Sequence, residues 1–106
     1  MKRPVQWSRA ALDDIKGQLV YIVADNPQAA RRVASRIRST GAALGETATG
    51  RPGRVSGAYE KIVTGLPYII AYAITNEAAR EAVSILRVIH TARDWPHEQW
   101  PVARSE

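Results

Sequence analysis

The chain is 106 residues long, carries a net charge of +5 and is 45% apolar, enough for one hydrophobic core and too little for two. It has no cysteine and only two histidines, which excludes disulfide staples, thiolate metal sites and a cysteine nucleophile and argues against a histidine zinc cage. No apolar run reaches the ~20 residues of a membrane span, and no hydrophobic stretch follows Met1-Lys2-Arg3-Pro4, so a cytosolic protein with no cofactor, metal or membrane partner is expected.

Pro4-Val5-Gln6-Trp7 alternates in polarity and predicts an opening strand. Ser8 has the identity of a helix N-cap, and Asp13 and Asp14 follow early, where the positive end of a helix favours carboxylates. Leu12, Ile15, Leu19 and Ile22 recur at helical spacing and predict an amphipathic helix over 8–24 with Leu12, Ile15 and Leu19 in the core. Gly17 weakens that helix by roughly 1 kcal/mol relative to alanine without breaking it. Asp25-Asn26-Pro27 ends the helix and starts another, since proline suits the first helical position. Ala30, Val33, Ala34, Ile37, Gly41 and Leu44 form the second apolar stripe, and so short a link folds the helices into an antiparallel hairpin.

Residues 45–53 are rich in Gly, Thr and Pro and predict a loop. The period then changes: 55–63 alternates, with Tyr59, Lys61 and Val63 on one face and Glu60 and Ile62 on the other. Thr64-Gly65-Leu66-Pro67 makes a turn, 68–74 reads as a central buried strand, 75–80 as a connection and 82–90 as the last strand. The proline-containing segment 91–106 is expected to be a C-terminal tail. The expected architecture is α+β in a single domain over 1–106: a strand, an antiparallel helical hairpin, then a three-stranded meander. These form a small, mostly antiparallel sheet with the helices on one face.

Twelve of the fifteen cations are arginine, the better fork for carboxylate and phosphate, so an acidic protein segment or a nucleic acid is the natural partner. Arg31, Arg32, Arg36 and Arg38, on the flanks and back of the second helix, fit a solvated face better than a ligand site. Gly50-Arg51-Pro52-Gly53-Arg54 lacks the GxxxxGK[ST] pattern and is no nucleotide loop. Glu60 and Lys61 point to opposite faces of a strand and cannot act as a pair. His90, on the face of Leu86 and Val88, is either a structural hydrogen-bonding residue or a general base. Arg87, grouped with Val83, Ile85 and Ile89, is either buried against a carboxylate or exposed on a sheet face open to a ligand. Trp95 and Trp100 either cap the core edge or anchor a partner.

Several segments in order carry a resemblance to a known family. They are Val5-Gln6-Trp7-Ser8 with Ala11 and Asp14-Ile15, Tyr21-Ile22 with Asp25-Asn26-Pro27, Ala30 with Arg31, and Gly50-Arg51-Pro52-Gly53-Arg54-Val55. Pro67-Tyr68-Ile69-Ile70-Ala71-Tyr72 and Ile85-Leu86-Arg87-Val88-Ile89-His90 follow, ending in Arg93-Asp94-Trp95. Together, over about residues 3–96, the chain resembles the RelE/ParE superfamily, the toxin half of bacterial type II toxin–antitoxin pairs. The resemblance implies the fold derived above and a cognate acidic antitoxin, with operator DNA engaged only indirectly through that antitoxin.

Function divides within the superfamily. RelE-like members cut messenger RNA on the ribosome without a metal; here such a site would use His90, Arg93 and Arg54. ParE-like members keep the fold and poison DNA gyrase. Where nuclease members carry alternate lysines this chain has Glu60-Lys61-Ile62, and where they carry an arginine it has Tyr68. Removing cations from a phosphate-binding site argues for the ParE-like branch, with no catalytic residue. Arg54, Tyr59, Lys61, Arg87, Arg93 and Trp95 are then candidates for binding the target or the antitoxin. A ribosome-dependent nuclease and a non-toxic, antitoxin-binding regulator are the alternatives.

Overall fold

Val5–Trp7 form β1, and the chain then turns directly into α1, Arg9–Asp25. Ser8 caps that helix, its Oγ accepting from the Ala11 N–H at 2.9 Å. Asn26 is the entire link to α2, Pro27–Glu46. Its N–H donates to the Ile22 carbonyl at 2.8 Å, closing α1, while its Oδ1 accepts from the Ala29 N–H at 3.1 Å, opening α2. A one-residue link leaves the helices no arrangement but a hairpin. The remaining strands are β2 (Arg51–Pro52), β3 (Tyr59–Ile62), β4 (Tyr68–Glu77) and β5 (Arg80–His90). The computed structural model describes residues 3–52, 57–77 and 80–91. Val55, Arg54 and the expected tail beyond Thr91, with Arg93, Trp95 and Trp100, lie outside them.

The five strands make one sheet in the order β1-β5-β4-β3-β2. All neighbours are antiparallel except β1 and β5, which run parallel with Val5 opposite Val83 and Trp7 opposite Ile85. The helices pack on the face carrying Tyr68, Ile70 and Tyr72 of β4 and Val83, Ile85 and Val88 of β5. With Ile15, Val33, Ile37 and Leu44 these side chains form the core. Gly41 marks the closest approach: a Cβ there would lie 2.5 Å from the Trp7 ring and 2.9 Å from Ile85. Gly65, at φ +80°, takes the left-handed position in the turn between β3 and β4.

The mostly antiparallel α+β architecture with its helical hairpin agrees with the sequence, and four local features differ. Residues 75–77 and Arg80, expected in a connection, continue the hairpin: Thr75 pairs with Ala82, Asn76 with Glu81 and Glu77 with Arg80. Polar residues occur on both sides there, so no alternation marks it as strand. A two-residue strand, β2, falls within the expected loop, its Pro52 on an edge where a missing N–H is harmless. Leu12 is not core but 43% exposed, because α1 turns Ala11 inward instead. Asp13 and Asp14 sit beyond the first turn of α1, so neither serves its amino terminus.

Candidate functional site

β1 covers the edge of β5 only as far as Ile85, and the start of α1 takes over from there. The Ser8 N–H donates to the Ile85 carbonyl at 2.9 Å, and Ser8 Oγ donates to the Leu86 carbonyl at 2.8 Å. One turn and a half later, Asp14 reaches the same edge. Its Oδ2 accepts from the Val88 N–H at 2.9 Å and from Arg87 Nε at 2.8 Å, while Oδ1 accepts from Arg87 Nη2 at 2.8 Å. This two-toothed pair raises the Arg87 guanidinium above its ordinary value, against the opposing effect of desolvation. The clamp joins residues 73 positions apart and locks α1 to the sheet. Arg87 thus has a half-buried carboxylate partner, nearer the first of the two alternatives its position allowed.

A bulge explains why the strand's faces are not those of simple alternation. Arg87 pairs with Ala71 and Ile85 with Tyr72, leaving Leu86 as the extra residue. The expected grouping of Arg87 with Val83 and Ile85 is therefore corrected: Val83, Ile85, Val88 and His90 share the helix-covered face, and Arg87 lies with Ser84 and Ile89 on the other. His90 pairs across the ladder with Tyr68, their rings meeting edge to face at 5.2 Å. His90 and Arg87 consequently project to opposite sides of β5 and form no common site.

On β3, Tyr59 stacks on Tyr72 with ring centroids 5.5 Å apart. The Tyr72 hydroxyl donates to the Thr49 carbonyl at 2.7 Å, tying the end of the helical hairpin to the sheet. Burial pushes that hydroxyl's pKa above its ordinary value of 10.0, Tyr59 adds to the rise and Arg3 opposes it. Glu60 is 6% exposed, with Arg51 Nη2 at 3.5 Å. Lys61 borders an open cleft of about 450 Å³ between β3 and the end of α2, beside the hydroxyls of Thr47, Thr49 and Thr64. Arg36 of α2 donates to the Thr64 carbonyl at 2.9 Å, joining the helix to the turn after β3. Among the described residues no group of His, Cys, Asp or Glu is arranged to hold a metal, and no helix is long and apolar enough to cross a membrane.

A second concavity, of about 470 Å³, runs along the outside of the hairpin and is almost wholly apolar. Leu19, Val20 and Val23 of α1 face Pro27, Ala30 and Ala34 of α2, with Lys16 and Arg31 on its rim. Val20 is 65% and Val23 48% exposed. Sequence reasoning did not identify this groove. Its signal was present in Val20 and Val23, apolar residues that fall outside the inward-facing stripe of a helix already supplied with a core face.

The described residues form a hairpin of two helices on one side of an open, mostly antiparallel sheet. This fold superposes on a chain of the chromosomal ParDE toxin–antitoxin system from P. aeruginosa with a TM-score of 0.75, covering 84% of this chain and 96% of that one at 20% identity. Residues 5–95 match the model of the ParE toxin of the type II toxin–antitoxin system parDE, and the chain belongs to that family. It is also 38% identical over 101 residues to Y4kP of Sinorhizobium fredii, a protein whose name describes it as a candidate toxin, covering 94% of this chain and 95% of that relative.

Proposed function

We propose that this ParE-family toxin acts in the cytoplasm on DNA gyrase and is neutralised by a cognate acidic antitoxin. The observation that carries the choice of target is the neutralisation of the sheet's phosphate-binding potential. Cutting RNA without a metal needs cations to stabilise charge developing at phosphorus and a base within reach of the 2′-hydroxyl. Here Arg87 is committed to both oxygens of Asp14. Glu60 adds a carboxylate to β3 beside Arg51, and His90 faces away from Arg87.

The hairpin groove supports the antitoxin half of the reading. An amphipathic helix of an acidic partner would lay its apolar face on Leu19, Val20 and Val23 and meet Lys16 and Arg31 at the rim. Such a segment is disordered alone and folds on binding.

The purified chain is expected to inhibit supercoiling by gyrase, or to leave gyrase-dependent DNA breaks, while ribosome-bound message stays intact. Codon-specific cuts in translated message, lost in His90→Ala and Arg93→Ala proteins that remain folded, would reassign it to the RelE-like branch.

A further inference from the structure

We infer that the outer face of α2 is a contact surface for the phosphate backbone of duplex DNA, so that the toxin supplies sequence-independent DNA contacts of its own. Arg31, Arg32, Arg36 and Arg38 are all exposed, and α2 holds no carboxylate before Glu46. At 100° per residue, with Ala30, Val33, Ala34, Ile37, Gly41 and Leu44 buried, Arg31 and Arg38 line one flank of the exposed half of the helix, Arg36 lies toward the other and Arg32 near the middle. Between the flanks lie Gln28, Ser35, Ser39 and Ala42, polar or small and exposed. Among the described residues, no carboxylate ion-pairs with any of the four arginines, and of their guanidinium groups only that of Arg36 is engaged, by the Thr64 carbonyl.

Two features point to a polyanion and not to a second protein surface. Protein interfaces need an apolar centre inside a polar rim, and this face carries cations from flank to middle with nothing larger than alanine among its apolar residues. The hairpin keeps its apolar groove on another side, along Leu19, Val20 and Val23. A helix cylinder about 10–12 Å wide with cations on both flanks matches a major groove about 12 Å across, whose two walls are phosphate backbones. Arg31 and Arg38 are two turns apart, about 10.5 Å, so both reach one wall. Guanidinium forks bind phosphate oxygens, and serine and glutamine side chains add hydrogen bonds to the backbone. Antitoxin docking in the apolar groove leaves Arg32, Arg36 and Arg38 outward, so the surface serves the neutralised complex as well as the free toxin.

The test is fluorescence anisotropy of the full chain on a labelled mixed-sequence DNA duplex across a salt series. The parent protein is expected to bind, with log affinity falling linearly against log salt. Arg31→Gln, Arg32→Gln and Arg38→Gln together are expected to reduce that slope by about 2–3, at about 0.9 for each phosphate no longer neutralised. A second triple variant, Arg9→Gln, Lys61→Gln and Arg80→Gln, removes the same net charge elsewhere and is expected to retain most of the slope. Equal reductions in the two triples would mean whole-molecule attraction and overturn the assignment to α2. So would absence of duplex binding at low salt, or tighter binding to single-stranded RNA of equal length. None of these outcomes depends on whether gyrase is the toxin's target.

Discussion

At the scale of single residues, Asp14 carries more structure than its place in a helix suggests. It accepts three hydrogen bonds at one sheet edge, two from Arg87 and one from the Val88 N–H. Asp14→Ala strands a half-buried guanidinium and a backbone donor together, and is expected to cost about 2–4 kcal/mol by denaturant unfolding. Arg87→Ala leaves Asp14 with the Val88 N–H and should cost less; the reverse order would show that the cation, not the edge, is what Asp14 serves. Tyr72 allows a pH test. Its folded pKa lies above 10.0, so folded protein keeps the proton over a range where unfolded chain has lost it. Stability from this group is therefore whole below pH 10.0 and is lost as pH rises through 10.0 toward the raised folded value. Tyr72→Phe is expected to weaken the protein at neutral pH by about 0.5–1.5 kcal/mol, through the missing bond to Thr49. The same variant should flatten the alkaline decline, which thermal melts across that pH range would record. The Arg87 partnership could be framed from sequence only as two alternatives, because a carboxylate 73 positions away leaves no local mark.

At the scale of elements, the phase of α1 and the closeness of α2 are the decisive features. Ile15 is buried and Leu12 is 43% exposed, although both belong to one apolar stripe in the sequence. Ile15→Ala is expected to cost about 2–4 kcal/mol and Leu12→Ala well under half of that, measured by thermal or denaturant unfolding. Gly17 is exposed, and a Cβ there meets nothing within 4 Å, so Gly17→Ala should stabilise the helix by about 0.5–1 kcal/mol and raise Tm. Gly41→Ala should do the opposite: its methyl would fall 2.5 Å from the Trp7 ring, forcing α2 off the sheet at a cost of about 1–3 kcal/mol. Two glycines in helical surroundings thus carry opposite expected signs. The helices, their shared Asn26-Pro27 junction and the central strand were legible because capping and periodicity are local properties. The bulge at Leu86 was not, since an extra residue in one strand is defined only against the partner strand.

At the scale of the whole molecule, charge and apolar surface are separated, and each predicts its own behaviour. The +5 charge should make association with an acidic antitoxin strongly salt-dependent in its on-rate, which stopped-flow mixing at low and moderate salt would measure. The apolar groove should govern dissociation. Val20→Glu and Val23→Glu lie on exposed positions, so both are expected to melt close to the parent while binding the antitoxin at least ~10-fold more weakly. Unchanged affinity in both would remove the groove from the antitoxin interface. The sequence by itself determined the order of elements, the helical hairpin, the α+β class and the likeness to a toxin family, because caps, turns and hydrophobic periods act over a few residues. Tertiary structure alone decided that Asp14 neutralises Arg87, that His90 and Arg87 face apart, and that Val20 and Val23 line a groove. Each of these depends on which distant segment arrives at a given edge or face, and chain spacing does not encode that arrival.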